Sequence, residues 1–210
     1  MTDQPAYFQD AVLLIFARNP ELGKVKTRLA QGIGNKAALE VYRHLLQHTR
    51  NTIAPLPLHA QVYYSQYIEQ QDMWPEARFE KRVQQGANLG MRMQNAFAEA
   101  YAEGYKKVAV IGTDLLELEA SHIEQAFEAL SGQNQSVIGP ASDGGFYLLA
   151  LRQMVESLFT NQQWGTPKVL PETRHRLIKA GMPPYLLPEL NDIDTLDDLS
   201  KSALANQYAV

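Results

Sequence analysis

Four cations follow an apolar run near the start of the chain, and their spacing fits the binding of phosphate groups. The apolar run is Ala11 to Ala17, and the cations lie within the next eleven residues: Arg18, Lys24, Lys26 and Arg28. A buried strand that leads into a flexible, cationic loop is typical of phosphate sites in α/β proteins. The net charge of the whole chain is −4, so this positive charge is local. The alternative interpretation is a solvated basic loop.

A carboxylate follows a second apolar run. Residues 106–112 read KKVAVIG and end in Thr113 and Asp114. If the two apolar strands are neighbours in a sheet, Asp114 faces the cationic loop across one crevice. Cations for phosphates opposite a carboxylate suit a metal–nucleotide complex, in which Mg²⁺ or Mn²⁺ takes one or two protein carboxylates plus phosphate oxygens. The alternative is that Asp114 only caps the next helix.

Two further acidic turns carry candidate site residues. Asp143 precedes two glycines, which let the backbone come close to a ligand, although an ordinary Asp-Gly turn explains the same residues. Asp192 and Asp194 precede the last predicted helix. They offer either two ligating carboxylates or only the start of a helix that Thr195 caps.

The elements that must position these side chains alternate along the chain. Apolar strands predicted at 11–17, 58–65, 106–112 and 136–139 are separated by helical patterns, one of which starts at Gly34-Asn35 and another at a Ser121/Glu124 capping box. The turn with Asp143 then leads into a further apolar strand at 146–151. This alternation predicts an α/β fold with three layers, in which helices cover both faces of a mostly parallel central sheet. The two most apolar strands, 11–17 and 106–112, are predicted to be its central pair. Trp164 is interpreted as a core or lid residue, with stacking over a sugar or base as the alternative.

Composition bounds the class of protein. The 210 residues predict a single domain over 1–210, with 45% hydrophobic and 20% charged residues, as in a soluble globular protein. The absence of cysteine excludes disulfides and thiolate chemistry. The negative net charge argues against nucleic-acid or anionic-membrane partners. No 18-residue apolar run occurs and the first ten residues do not resemble a signal peptide, so a cytoplasmic location is expected.

Six motifs together resemble a bacterial glycosyltransferase-like family whose members are often labelled radical-SAM/selenodomain-associated transferases. Between about residue 11 and residue 199 they are, in order, FARNPELGKVKTRLA, QGANLGMRM, VIGTD, GPASDGGFYLLAL, WGTPKVL and NDIDTLDDL. The resemblance implies the GT-A fold of nucleotide-diphospho-sugar transferases, which the molybdenum-cofactor and phospholactate guanylyltransferases share.

The resemblance also implies roles for individual residues. The nucleotide's phosphates would be held by Arg18, Gly23, Lys26 and Arg28, and Ala17 belongs to the same predicted nucleotide-binding stretch. Asp114 would be the metal aspartate, Asp192 or Asp194 the second metal carboxylate, and Asp143 would lie beside the acceptor. For catalysis, Lys26 is expected to assist departure of the leaving group and Asp143 to deprotonate an acceptor hydroxyl.

The predicted function is a transferase that uses an activated nucleotide and Mg²⁺ or Mn²⁺ to move a sugar from a nucleotide-diphosphate sugar to a small acceptor. The first alternative is a guanylyltransferase-like nucleotidyltransferase that joins an NTP to a phosphorylated acceptor. The second is a nucleotide-binding module without catalysis. Two departures from the family pattern support the second alternative: Asn88 stands where aspartate is usual, and Leu116 where proline is usual.

Overall fold

The computed structural model describes residues 5–208, and strands and helices alternate along most of this part of the chain, although two pairs of strands follow each other without a helix between them. The strands and helices are, in order, β1 (Ala11–Ala17), α1 (Thr27–Ile53), β2 (His59–Tyr64), β3 (Phe79–Val83), α2 (Leu89–Ala102), β4 (Lys107–Ile111), α3 (Ala120–Ser131), β5 (Ser136–Pro140), β6 (Phe146–Leu151), α4 (Val169–Lys179), β7 (Tyr185–Leu186) and α5 (Leu196–Lys201). None of the helices within residues 5–208 has both the length and the apolar character needed to cross a membrane.

All seven strands form one sheet in the order β3-β2-β1-β4-β6-β5-β7. Strand β6 pairs antiparallel with β4 and β5, and every other pairing is parallel. The central pair is confirmed, since β1 pairs with β4 from Ala11↔Lys107 to Ile15↔Ile111. The predicted α/β architecture with a mostly parallel sheet is therefore confirmed.

The alternation of side chains along β1 builds the three layers. Leu13 and Ile15 pack in one apolar cluster with residues of α1 and α3, whereas Val12 and Leu14 pack in another with residues of α2 and α4. Successive residues of a strand point to opposite faces of its sheet, and β1 is buried on both faces. Helices therefore cover the sheet on both sides.

Helix α1 begins earlier than the sequence predicts. It starts at Thr27 and is interrupted at Gly34, whose φ of 81° and ψ of 159° are not helical, so the predicted start marks only its second segment. The first segment is stabilised through Leu29, which is fully buried in a cluster with Ile193 and Leu199. Those partners come from the other end of the chain, so local periodicity does not show this segment.

Two helices begin at a side-chain cap, and a third begins earlier than the sequence predicts. The Asn88 side chain accepts a hydrogen bond from the Met91 amide at 3.0 Å, and Thr195 caps α5. Helix α3, however, begins at Ala120 with Glu119 as its N-cap, so the predicted Ser121/Glu124 box is wrong. The Glu119 amide donates to Nδ1 of His122 at 3.0 Å, a partner that places the helix start two residues earlier.

Candidate functional site

A cleft lies at the carboxyl ends of β1 and β4, where the strand order reverses. From β1 the chain builds the sheet outward through β2 and β3, and β4 then pairs with the other side of β1. Ligands of open α/β sheets bind at such switch points. The cleft encloses about 400 Å³, and its lining includes three of the predicted cations and all four predicted carboxylates: Arg18, Lys26, Arg28, Asp114, Asp143, Asp192 and Asp194.

Lys26 occupies the middle of this charged cluster. It is the N-cap of α1 and adopts a left-handed backbone conformation, with φ 47° and ψ 44°. Its side chain is only 3% exposed. The Nζ atom lies 2.5 Å from Oδ1 of Asp114 and 3.1 Å from Oδ1 of Asp194. One buried ammonium group therefore joins two carboxylates that belong to distant parts of the sequence.

The charge of Lys26 is maintained by these two partners. Burial by itself lowers the pKa of an ammonium group, but the attraction and hydrogen bonds of Asp114 and Asp194 outweigh it and raise the pKa of Lys26 above its ordinary value. Lys26 is consequently a cation at neutral pH. Removal of either carboxylate would leave a buried charge with less compensation.

Two arginines and a helix terminus extend the positive side of the cleft. Arg28 is 68% exposed at its side chain and reaches Oδ2 of Asp194 at 3.3 Å. Arg18 is held through its backbone, and its guanidinium group forms no hydrogen bond or ion pair with another residue in the described range. The first i to i−4 bond of α1 runs from the Ala30 amide to the Lys26 carbonyl, so the amides of residues 27–29 precede the helical ladder. This arrangement suits an anion.

A backbone contact brings the last acidic turn to the end of β4. Leu115 and Asp192 form an antiparallel bridge, and the Ile193 amide donates to the Asp114 carbonyl at 3.0 Å. Asp198 stabilises this turn, since its carboxylate accepts hydrogen bonds from the amides of Asp194 and Thr195. Asp198 and Thr195 therefore stabilise the turn, whereas Asp192 and Asp194 line the cleft.

Asp192 experiences the excess of negative charge in the cleft. Burial, the nearby carboxylate of Asp143 and, to a smaller extent, that of Asp194 together raise its pKa to about 6, while Lys26 lowers it. Like charges that share a site disfavour the ionised form of at least one of them. The four carboxylates are thus not fully neutralised by the surrounding cations.

Asp143 reaches the cleft from a tight turn. Its Oδ1 accepts a hydrogen bond from the Gly145 amide at 2.7 Å, and the residue is exposed. Gly144 has φ +87°, and a Cβ atom there would lie 2.5 Å from Cα of Pro167. The Leu170 amide donates to the Gly144 carbonyl at 2.9 Å. Gly144 therefore lets the turn pack directly against the segment that precedes α4.

Two predicted nucleotide-binding residues lie outside the cleft lining. Ala17 is 1% exposed, and its carbonyl accepts a hydrogen bond from the Gln84 side chain at 3.3 Å. Gly23, with φ +76°, lies in an exposed turn beside the ion pair of Glu21 and Lys24. Both residues shape the loop that carries Arg18 and Lys26 and do not face the cavity.

Tyr42 is a residue that the sequence analysis did not single out. It is 2% exposed on α1 and lines the cleft. Its hydroxyl accepts from the Arg18 amide at 2.8 Å, donates toward the Arg18 carbonyl at 3.1 Å, and lies 3.3 Å from Oγ1 of Thr113. Its only sequence signal is a hydroxyl group at an apolar position of the helix.

The wall of the cleft on the β6 side is apolar. Trp164 and Phe146 form an edge-to-face pair with ring centroids 6.3 Å apart, and Leu89 and Met93 of α2 continue this surface. Gly90 makes the packing possible, because a Cβ there would lie 2.7 Å from Nε1 of Trp164. A ligand in this cleft would contact charged groups on one side and carbon surfaces on the other.

Asn88 and Leu116, the two departures from the family pattern, both lie outside the cavity lining. Asn88 is the N-cap of α2, where its amide oxygen performs the capping that an aspartate would also provide. Leu116 is partly buried against the cluster that holds Leu29 and Ile193.

The charged cluster fits a divalent cation in its chemistry. Among residues 5–208 no three histidine or acidic side chains already converge as a metal site. Asp114 and Asp194 nevertheless both contact one cationic atom, and the pKa of Asp192 beside them is raised by burial and by the neighbouring carboxylates. Carboxylate oxygens are the donors that Mg²⁺ and Mn²⁺ prefer.

Comparison with known proteins gives a family and a fold. The model of the family described as "Uncharacterized protein conserved in bacteria (DUF2064)" matches residues 49–166, a range that contains Asp114 and Asp143. A crystal structure from Desulfovibrio desulfuricans G20, provisionally described as a nucleotide-diphospho-sugar transferase, is 30% identical. The alignment covers 95% of this chain and 93% of that chain, with a TM-score of 0.85. None of the curated proteins matches the sequence.

Two more distant structures share the fold at 13% identity. One is CMP:2-keto-3-deoxy-manno-octonic acid synthetase complexed with CTP, with a TM-score of 0.56 over 94% of this chain and 98% of that one. The other is glucosyl-3-phosphoglycerate synthase from Mycobacterium tuberculosis in complex with Mn²⁺, UDP and glucosyl-3-phosphoglycerate. Its TM-score is 0.52, over 100% of this chain and 84% of that chain. The fold is thus that of nucleotide-diphospho-sugar transferases and cytidylyltransferases.

Proposed function

The chain belongs to the DUF2064 family of proteins conserved in bacteria, and from this membership and the cleft we propose that it is a metal-dependent glycosyltransferase. In this proposal it moves a sugar from a nucleotide-diphosphate sugar to the hydroxyl group of a small acceptor. The observation that carries the proposal is the position of Lys26, Arg28 and four carboxylates in one cleft at the switch point of the sheet.

The positive side of the cleft would bind the diphosphate. Arg18 and Arg28 offer guanidinium groups that can make paired hydrogen bonds to phosphate oxygens. Lys26 would hold the phosphate that departs with the nucleotide and stabilise the negative charge that develops there. The amides of residues 27–29, at the start of α1, would donate hydrogen bonds to the same phosphate groups.

The acidic side would hold the metal ion and the acceptor. Asp114 and Asp194, with Asp192 beside them, would hold Mg²⁺ or Mn²⁺, and the bound ion would supply positive charge against the diphosphate leaving group. Asp143 would take the proton of the acceptor hydroxyl. The acceptor oxygen then bonds to the sugar's anomeric carbon while the bond from that carbon to the diphosphate breaks. The electron pair of the broken bond leaves with the nucleoside diphosphate.

Nucleotidyl transfer is the second candidate. Arg18, Lys26 and Arg28 give three positive charges in the cleft, which suits a triphosphate, and the same cleft would then bind an NTP and a phosphorylated acceptor. The product distinguishes the two reactions. Sugar transfer releases a nucleoside diphosphate, whereas nucleotidyl transfer releases pyrophosphate.

The test is a nucleotide screen followed by product analysis. Nucleotide sugars and NTPs would be ranked by thermal shift with and without Mn²⁺, and the best donor incubated with acceptor mixtures. Asp143→Asn should retain donor binding and lose about 10²–10⁴-fold in turnover, as expected for a general base. Ser142→Ala is the matched control, since this exposed neighbour has the same turn but no proposed role. Normal turnover by Asp143→Asn would exclude the base assignment, and binding of no nucleotide at all would exclude the proposed function.

A further inference from the structure

The contacts of Lys26 have a consequence for how a metal ion enters the cleft. The ammonium group is buried and lies within hydrogen-bond distance of Asp114 and Asp194. We propose that Lys26 is an internal counterion that occupies the divalent-cation position of the ligand-free protein and leaves it when nucleotide phosphates bind. This inference rests on the proposed function only in naming phosphates as the group that draws Lys26 away.

The ammonium group and a metal ion exclude each other at these carboxylates. Mg²⁺ binds oxygen at about 2.0–2.1 Å, whereas Nζ already lies 2.5 Å from Oδ1 of Asp114. Nζ holds Oδ1 of both carboxylates and Arg28 contacts Oδ2 of Asp194, so a metal ion that joined the two side chains would lie against the ammonium group, and the two cations repel each other. A metal ion can therefore use Asp114 and Asp194 together only after Lys26 has moved.

The side chain of Lys26 can reach a second binding position in the same cavity. Lys26 lines the same cavity as Thr27 and Arg28 at the start of α1, where phosphate groups would lie. A lysine carries its charge on a flexible four-carbon chain, so the ammonium group can change partners without movement of the backbone. Phosphate oxygens would replace the carboxylates as its partners, and the metal ion would replace Lys26 at the carboxylates.

This exchange makes metal and nucleotide binding cooperative. Without nucleotide, a metal ion must displace a well-paired ammonium group, so its affinity is low. With nucleotide bound, that cost is removed. By linkage, the metal ion raises the affinity for nucleotide by the same factor. If Lys26 were instead a permanent bridge between β4 and the last acidic turn, its removal would weaken the protein without improving metal binding.

The experiment measures Mn²⁺ binding without nucleotide, from the EPR signal of free Mn²⁺. Lys26→Met keeps a similar length and removes the charge, and it should bind Mn²⁺ at least about tenfold more tightly than the unmodified protein, within the usual range of coupling between sites. Arg28→Met is the matched control, because Arg28 contacts Asp194 but not Asp114 and is largely exposed. It should change Mn²⁺ affinity much less. Adding Asp114→Asn to Lys26→Met should remove the gain.

Lys26→Met leaves two carboxylates without their cation, which destabilises the fold in the absence of a metal ion. A second measurement therefore follows the folding of this variant directly. Its melting would be followed by circular dichroism with and without millimolar Mn²⁺. If the ion takes the place of the ammonium group, Mn²⁺ restores the melting temperature of the variant and raises that of the unmodified protein far less. The inference is overturned if Lys26→Met binds Mn²⁺ no more tightly and is not rescued by it.

Binding of UDP and CDP to the unmodified protein separates this inference from the proposed function. Nucleotide binding together with unchanged Mn²⁺ affinity in Lys26→Met would overturn the exchange and leave the transferase proposal intact. Tighter Mn²⁺ binding by Lys26→Met without binding of any nucleotide would overturn the transferase proposal and leave the exchange at the carboxylates supported.

Discussion

The hydroxyl group of Tyr42 lies between the amide and the carbonyl of Arg18, at 2.8 and 3.1 Å, and so fixes the first residue after β1 to helix α1. The same oxygen lies 3.3 Å from Oγ1 of Thr113, the residue before Asp114. One buried phenol group therefore links the ends of β1 and β4, after which the cationic loop and the turn with Asp114 begin. The relative position of positive and negative groups in the cleft depends on this link.

Tyr42→Phe should weaken both stability and ligand binding. The change leaves buried polar groups of Arg18 and Thr113 without their partner, which costs about 1–3 kcal/mol. Urea denaturation would measure the loss, and nucleotide titration the effect on binding. Tyr101→Phe is the control, because its hydroxyl donates to the Leu151 carbonyl at 3.0 Å and Tyr101 does not line the cleft. It should lose stability and keep its affinity for nucleotide, and equal losses of affinity in the two variants would contradict this assignment.

Gly144→Ala should damage the acidic turn that carries Asp143. The new Cβ would lie 2.5 Å from Cα and 2.7 Å from the carbonyl oxygen of Pro167, in addition to the cost of φ +87°. We expect a loss of about 2–5 kcal/mol, the sum of backbone strain and overpacking. Gly181→Ala separates the two contributions, since it has φ +74° but no atom within 4 Å of its Cβ position. Its loss in thermal or chemical unfolding should be about 1–2 kcal/mol, without an effect on turnover.

Asp192→Asn should stabilise the ligand-free protein above pH 6. The pKa of Asp192 rises from 3.8 to about 6 on folding, so stability falls as pH rises from about 4 to 6 and then stays lower. The substitution removes this cost. After allowance for partial exposure, we expect a gain of about 1–2 kcal/mol at pH 7.5 and almost none below pH 4.

Denaturation curves at several pH values would test the sign for Asp192. Asp197→Asn is the control, because Asp197 is 70% exposed and pairs with Lys201 on the outer side of α5. It should change stability by less than about 1 kcal/mol. A gain for Asp192→Asn that was largest at low pH would contradict the expected sign.

Trp164 should report ligand binding by its fluorescence. The chain has two tryptophans. Trp74 is 2% exposed and packs edge-to-face on Phe79 with centroids 5.0 Å apart, whereas Trp164 lines the cleft. In Trp74→Phe, titration with a nucleotide sugar should change the emission, because the ligand enters beside the indole ring. In Trp164→Phe the emission should stay constant, and a change there would place the ligand elsewhere.

The sequence by itself determined the layers and the individual chemical groups. Strands β1 and β4 are apolar on both faces and could be recognised from residue type alone. Their alternation with helices predicted the mostly parallel sheet. The cationic loop and Asp114 each follow directly after one of these strands, so their place at the carboxyl edge followed from chain order.

Only the tertiary structure decided which charged groups meet. The pairing of Lys26 with Asp194 and the bridge from Leu115 to Asp192 join segments that are far apart in the chain, and no local period encodes such contacts. The first segment of α1 and the role of Tyr42 likewise depend on distant partners. Secondary structure here follows from local patterns of apolar residues, whereas the electrostatics of the cleft follow from packing, because charge interactions depend on distance and burial in space.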